Sequence, residues 1–328
     1  MKYVIAGDIG GTKTNLALYR VERPGVVALV SEASFSSKAA PSLEALLATF
    51  RAGFEQTISA AAFGIAGPVR DGVVVTTNLP WKTIEADMLA RLLGCQHVRL
   101  MNDLESTAYG ALFLPPDELA VINPGKPTTG TRAVIAAGTG LGQGYLFWDG
   151  RHFHPTGTEG GHVDFAARND LEMELLRYLQ GKLARVSYER ILSGPGLLHI
   201  FAFLRDAKQR PVEPEIVKRL ESEDPGAVIG QAGVEGSSCI CMEAVDVFVS
   251  LYGAQAGNLA LTLMAVGSVY VGGGIVTKLL PKMQDGVFMK AFTGKGRYQQ
   301  FMSDLPVWAI LNPKTSLVGA AQAAGDLI

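Results

Sequence analysis

Three short glycine-rich segments, each directly after an apolar run, are the parts of this chain best suited to gripping a phosphate. They are Asp8-Ile9-Gly10-Gly11-Thr12-Lys13-Thr14, Gly138-Thr139-Gly140-Leu141-Gly142 and Gly272-Gly273-Gly274. Glycine lets the backbone come close to phosphate oxygens, and successive exposed N–H groups form an anion-binding nest. Asp8, at the end of its run, can hold a hydrated Mg²⁺, and the Thr12 hydroxyl can reach a phosphate oxygen. The second segment offers the same combination of small residues, a hydroxyl and amides, and the third could accept the flat face of an adenine and its ribose. None of them is a P-loop, because the Gly-Lys-Ser/Thr ending is absent. Taken alone, the first also admits reading as an ordinary glycine hairpin with Asp8 as a cap. Three such turns in one chain are far more specific than any one.

The apolar pattern says which elements must carry these turns. Residues 2–8 form a nearly continuous apolar run, as expected of a strand covered on both faces. Residues 14–20 read as the returning strand of a hairpin and 26–35 as a third strand. A helix over 42–56 is expected, with Ser42 as N-cap. Strands are expected at 60–66 and 72–77, a helix over 83–93 with Thr83 near its cap, and a strand at 97–101 ending on Asn102-Asp103. Residues 115–132, rich in Pro, Gly and Thr, mark the best domain boundary. After it the opening repeats: Tyr3-Val-Ile-Ala-Gly-Asp-Ile-Gly-Gly-Thr12 and Ala133-Val-Ile-Ala-Ala-Gly-Thr-Gly-Leu-Gly142 are both an apolar strand running into a glycine-threonine turn. The second half is mainly helical, with helices expected over 169–181, 187–192, 195–205 and 242–263. A strand at 268–271 leads into Gly272, and a helix covers 316–327. The last strand and helix are expected to return to the first lobe.

Composition narrows the class of protein. The chain has 328 residues, enough for about two domains, with 48% hydrophobic and 18% charged residues. A net charge of −2 without any Lys/Arg-rich run argues against a nucleic-acid partner. Three cysteines (Cys95, Cys239, Cys241) suit a reducing compartment, and Cys239-Ile-Cys241 lacks nearby ligands to complete a zinc site. The N-terminal apolar run is too short for a signal peptide. The uncharged stretch 247–277 is long enough to span a bilayer, but Gln255, Asn258 and three consecutive glycines favour a buried helix followed by a buried strand. A cytoplasmic enzyme without a membrane partner is the expectation.

The ordered set of motifs resembles the bacterial glucokinases of the actin-like sugar kinase superfamily. The matching segments are Gly7-Asp8-x-Gly10-Gly11-Thr12, Asn78-Leu79-Pro80-Trp81, Asn102-Asp103, Gly138–Gly142, Glu159-Gly160-Gly161-His162-Val163-Asp164-Phe165, Glu189–Gly196 and Gly272-Gly273-Gly274-Ile275-Val276. The resemblance implies an α/β fold of two ribonuclease H-like lobes around an interlobe cleft, residues 1–113 plus 311–328 forming the small lobe and 114–310 the large one. It implies ATP-dependent phosphorylation of glucose at its 6-hydroxyl, with Mg²⁺ and ATP. Asp103 would be the catalytic base and would bind substrate together with Asn102, Glu159, His162 and Glu189. Gly7, Asp8, Ile9, Gly10, Gly11, Thr12, Gly138, Thr139, Gly140, Gly272 and Gly273 would bind the nucleotide, with Asp8 reaching Mg²⁺ through water. A homodimer is also implied.

Residue chemistry agrees: carboxylates, Asn and His are the side chains that discriminate the donor–acceptor hydroxyls of a hexose. Taken alone, Asp103 could be a helix cap, His162 a packed turn histidine and Glu189 a solvated helix residue. Lys13 stands where the family usually carries Asn. Gly-Gly-Thr-Lys is common in a sister group of repressors and kinases, but the cysteine-rich zinc motif of that group does not follow His162. Rival readings are a kinase for mannose or N-acetylmannosamine, and an actin-like ATPase without a sugar substrate.

Overall fold

The computed structural model describes residues 1–328 apart from Pro24, Thr77, Asn78, Pro80 and Lys82. The chain divides into two compact units. The first comprises residues 1–115, 154–157 and 312–328, the second 116–153 and 158–311.

In the first unit, β1 (Lys2–Ile9), β2 (Lys13–Arg23), β3 (Val26–Ser36), β4 (Ile58–Ile65) and β8 (His97–Asn102) form a sheet in the order β3-β2-β1-β4-β8. The β1–β2 hairpin is antiparallel, whereas β1, β4 and β8 run parallel, with Ile9 level with Ile65 and Ile65 level with Asn102. Side chains alternate along β1. Ile5 and Ile9 enter a core with Leu43, Leu47, Phe63 and Trp81, while Val4 and Ala6 face the alanine-rich helix Thr315–Gly325. This two-faced burial explains the unbroken apolar run. A small antiparallel sheet of β5 (Val69–Arg70), β6 (Val73–Val75) and β7 (Thr83–Glu85) sits beside it in sequence.

The second unit repeats the plan. The second sheet comprises β9 (Leu119–Asn123), β10 (Arg132–Ala137), β11 (Leu141–Trp148), β12 (Phe153–Thr158), of which residues 154–157 count with the first unit, β13 (Ser268–Gly272) and β14 (Val307–Ile310), in the order β12-β11-β10-β13-β14-β9. β10 pairs antiparallel with β11 and parallel with β13, which is itself parallel to β14. The duplication read from the two openings is therefore a duplication of topology. Helix Cys239–Leu263 is long and apolar enough to cross a membrane by length and composition, but Phe248, Tyr252 and Ala256 along it are part of the unit's buried core.

Several expectations need correction. Residues 83–85 form β7 rather than the first turn of a helix, because Val73↔Glu85 and Val75↔Thr83 pair; the helix begins at Ala86, and Thr83 caps nothing. The helix capped by Ser42 ends at Arg51, not 56. The stretch 115–132 contains an edge strand, β9, paired antiparallel with β14. The last strand, β14, belongs to the second sheet, and only the helix after it joins the first unit.

Candidate functional site

In the first unit, the chemistry-bearing residues gather at the carboxyl ends of the three parallel strands, where open α/β sheets place their ligands. The turn from β1 to β2 is closed by the Gly10 N–H donating to the Lys13 carbonyl at 3.0 Å. Ser37, buried after β3, braces it: its backbone N–H donates to the Thr12 carbonyl at 3.0 Å and its hydroxyl to the Gly10 carbonyl at 2.7 Å. Asp8 faces Asn15 across the hairpin, and the Asn15 amide donates to its carboxylate at 3.3 Å. Burial pushes the Asp8 carboxyl up from its ordinary value, while the nearby Ser316 hydroxyl, the Asn15 amide and the charge of Lys13 pull the other way. Among the described residues no cluster of three or more His, Cys, Asp or Glu could cage a metal. One half-buried carboxylate suits a Mg²⁺ that keeps most of its ligands as water and phosphate oxygens.

Gly7 has a packing reason as well as a site reason, since a Cβ there would lie 2.4 Å from the Phe63 ring. Asn102 ends β8 and caps helix Asp103–Gly110: its Oδ1 accepts from the Leu104 N–H at 2.9 Å, and the Glu105 carboxylate accepts from the Asn102 N–H at 3.4 Å, forming a capping box. Its amide also donates to the Gly67 carbonyl at 3.1 Å. The cap is therefore Asn102, and Asp103 stands in the first helical turn, where its Oδ1 also accepts from Leu104 N–H at 2.9 Å. Gly157 lies against Asn102; a Cβ there would come within 2.7 Å of Oδ1. Helix Thr315–Gly325 crosses helix Asp103–Gly110 at a glycine contact, where a Cβ on Gly319 would lie 1.8 Å from the Ser106 carbonyl oxygen. That close crossing carries Ser316 to Asp8. Of the segment 78–81, Asn78 and Pro80 lie outside the described residues, while Trp81 is buried and donates its indole N–H to the Ala40 carbonyl at 2.9 Å.

In the second unit, Glu159, His162 and Glu189 come together. His162 Nε2 is 3.8 Å from Glu159 Oε2, and Nδ1 is 3.8 Å from Glu189 Oε1. These separations exceed hydrogen-bond length, so the imidazole and carboxylates keep bonding capacity for hydroxyl groups of a ligand. Glu189 is anchored by its other oxygen, which accepts from the Leu141 N–H at 3.1 Å. Gly140 must be small to admit it, because a Cβ there would lie 2.4 Å from Glu189 Oε2. Likewise a Cβ on Gly161 would lie 1.9 Å from the Leu141 carbonyl oxygen. Hence the turn Gly138-Thr139-Gly140 and the Glu-Gly-Gly-His turn are built onto each other. The Gly138 carbonyl also accepts from Gly194 N–H at 2.8 Å, beside the Ser193-capped helix Gly194–Asp206. Gly272 closes β13, and Gly273 adopts φ +89°, with a hypothetical Cβ 2.1 Å from the Ala137 carbonyl oxygen; no side chain fits that crossing.

Sequence reasoning missed Asn15, Ser37 and Ser316. Asn15 could have been found by pairing the hairpin through Asp8. No local signal marks Ser37 or Ser316, whose roles arise from tertiary packing.

Two sheets that share the order of five strands, the second with β9 added at its edge, and that each hold a glycine turn in an antiparallel hairpin, define the actin-like ATPase fold shared by sugar kinases. A family model described as Glucokinase matches residues 5–327. A glucokinase from Trichormus variabilis is 40% identical over the whole of both chains, and one from Cronobacter sakazakii is 32% identical over 97% of this chain and 96% of that one. Among solved structures, glucokinase from an Antarctic psychrotroph superposes with a TM-score of 0.83 at 25% identity, covering 99% of each chain. A ROK family glucokinase from Streptomyces griseus in complex with glucose and AMPPNP gives 0.64 at 22% identity, covering 98% of this chain and 99% of that one, a likeness of fold. The chain belongs to the glucokinase family.

Proposed function

We propose that this protein transfers the γ-phosphoryl group of ATP to the 6-hydroxyl of D-glucose. The observation that carries the reading is the Glu159–His162–Glu189 group, a carboxylate–imidazole–carboxylate set with unspent hydrogen-bonding capacity, built directly onto a glycine-threonine turn. Full-length likeness to relatives named glucokinase supports it. An actin-like ATPase without a sugar substrate has no use for such a set.

In this reading Asp103 accepts the proton of the attacking hydroxyl, and Asn102, Glu159, His162 and Glu189 hold the remaining hydroxyls. Residues 7–12 and 138–140 bind the phosphates, and Gly272-Gly273 the nucleoside. Asp8 is the residue that would hold Mg²⁺, through water; when bound, the ion neutralises charge on the β- and γ-phosphate oxygens. Little covalent chemistry is asked of the protein, so positioning supplies most of the rate. The cytoplasmic setting and the homodimer belong to the same proposal.

The test is a coupled assay with ATP and Mg²⁺ over a panel of glucose, mannose and N-acetylmannosamine. The highest kcat/KM is expected with glucose. A preference for either other sugar transfers the assignment to that hexose, and ATP turnover indifferent to every sugar overturns it.

A further inference from the structure

Helix Cys239–Leu263 carries Tyr252, fully buried near its middle. The tyrosine hydroxyl lies 3.1 Å from the Ala137 backbone nitrogen, 3.1 Å from the Ile135 carbonyl oxygen and 3.1 Å from the Gly272 carbonyl oxygen. Its three partners thus belong to the ends of just two strands, β10 and β13. Those strands pair in parallel as far as Ala136↔Gly272, and just beyond that pair the Gly273 backbone lies against Ala137. Ala137 leads into the turn Gly138-Thr139-Gly140, while Gly272 leads into Gly273 at φ +89°. Where the parallel ladder ends, backbone polar groups need other partners, because a buried unpaired N–H or C=O is costly. The phenol fills the gap. Its oxygen accepts from Ala137 N–H, and its single proton goes to one of the two carbonyls.

Volume alone does not call for a hydroxyl here. Phe248 and Phe288 already flank the ring, each with its centroid 6.0 Å away, and a phenylalanine would complete the same aromatic packing. Burial raises the phenol's pKa far above its ordinary value, so it remains a neutral donor and acceptor across the working pH range.

We propose that Tyr252 is a positioning residue for nucleotide binding: its hydroxyl pegs the ends of the two strands at a fixed spacing and so holds Gly138–Gly140 and Gly272-Gly273 in mutual register. The proposal rests on the reading of those two turns as the ATP site. It makes Tyr252 responsible for nucleotide affinity without touching the nucleotide.

The experiment compares Tyr252→Phe, which removes one oxygen, with Phe248→Leu, a packing control on the same helix, and Gly273→Ala, which strains the turn itself. Steady-state kinetics are paired with calorimetric binding of a non-hydrolysable ATP analogue. Tyr252→Phe is expected to raise the KM for ATP and weaken analogue binding by about tenfold, the scale of one buried hydrogen-bonding group left unpaired. Its KM for glucose should stay within about twofold. Phe248→Leu should lower the melting temperature without splitting the two KM values. If Gly273→Ala weakens the analogue and Tyr252→Phe does not, the positioning role is overturned while the ATP site stands. If Gly273→Ala leaves analogue binding intact, the assignment of the turns fails, and the proposal with it. Should Tyr252→Phe not fold, hydrogen exchange in the unaltered protein decides: the Ala137 and Gly273 amides must slow together on adding the analogue, and protection of one alone overturns the coupling.

Discussion

The two units share a strand order yet finish their first turn differently. Aligning the two openings sets Asp8 of the first unit against Gly138 of the second. One turn therefore ends in a half-buried carboxylate that accepts from Asn15, and the other in glycine with only amides and the Thr139 hydroxyl to offer. The strand ends are also tied differently: Asn102 donates to the Gly67 carbonyl in the first unit, and Tyr252 bridges Ala137 and Gly272 in the second. Duplicated topology thus gives each unit a glycine turn, while the residues within and around the turn differ. In the proposed reading the first unit contributes Asp8 and Asp103, and the second contributes amide nests and the Glu159–His162–Glu189 set.

The hardest blow to this division comes from Asp103→Asn. Turnover should fall roughly 10²–10⁴-fold, the usual worth of a general base, while glucose binding measured by calorimetry persists. Near-normal kcat would move the base elsewhere. Next in size is Asp8→Asn against Thr139→Ala. Losing the carboxylate should lower kcat/KM for ATP by about a hundredfold or more, on the scale of removing a preorganised electrostatic group. Losing the hydroxyl should cost less than about tenfold, the worth of one hydrogen bond. Equal effects would erase the asymmetry.

The same Asp8 variant sharpens the comparison through pH. Because burial raises the folded-state pKa of Asp8 above the unfolded value, its contribution to stability is present below the unfolded pKa and is lost as pH rises through the raised value. Without ligands, Asp8→Asn should therefore melt higher than the parent at neutral pH, and the difference should shrink toward pH 4. A gap that is constant with pH would mean the carboxylate is not burdened by burial.

A smaller effect is expected from Gly157→Ala. Its new methyl would meet Asn102 Oδ1, whose contact distance would be 2.7 Å, and displacing that amide should raise the glucose KM roughly five- to fiftyfold, within the ~1–3 kcal/mol range of overpacking. Smallest is Ser37→Ala, which removes the hydroxyl bond to the Gly10 carbonyl and should destabilise the protein by about 1 kcal/mol in denaturant titration.

The glycine turns and their flanking strands were legible because apolar runs bounded by glycine are local signals, and both units use them. Asn102 and Asp103 were readable as the end of a strand; that Asn102 is the cap and Asp103 the first helical residue depends on Glu105 reaching back, a detail of geometry. The grouping of Glu159, His162 and Glu189 came from resemblance, as no spacing rule joins a turn to a residue thirty positions on. β7 was read as helix because Thr83 suits a cap, and cross-strand pairing with β6 won. β9 hid among prolines and glycines because it is a short edge strand whose partner, β14, lies far along the chain. Ser316 and Tyr252 left no trace, since each acts on residues brought near only by the finished fold.

The helix Thr315–Gly325 covers one face of a sheet whose strands were all made before residue 103. About 200 residues separate the two parts of the first unit's chain that it joins. At ribosomal rates of ~5–20 residues per second, the nascent sheet waits roughly 10–40 s with its alanine-lined side bare. During that interval the second unit can complete its own core first.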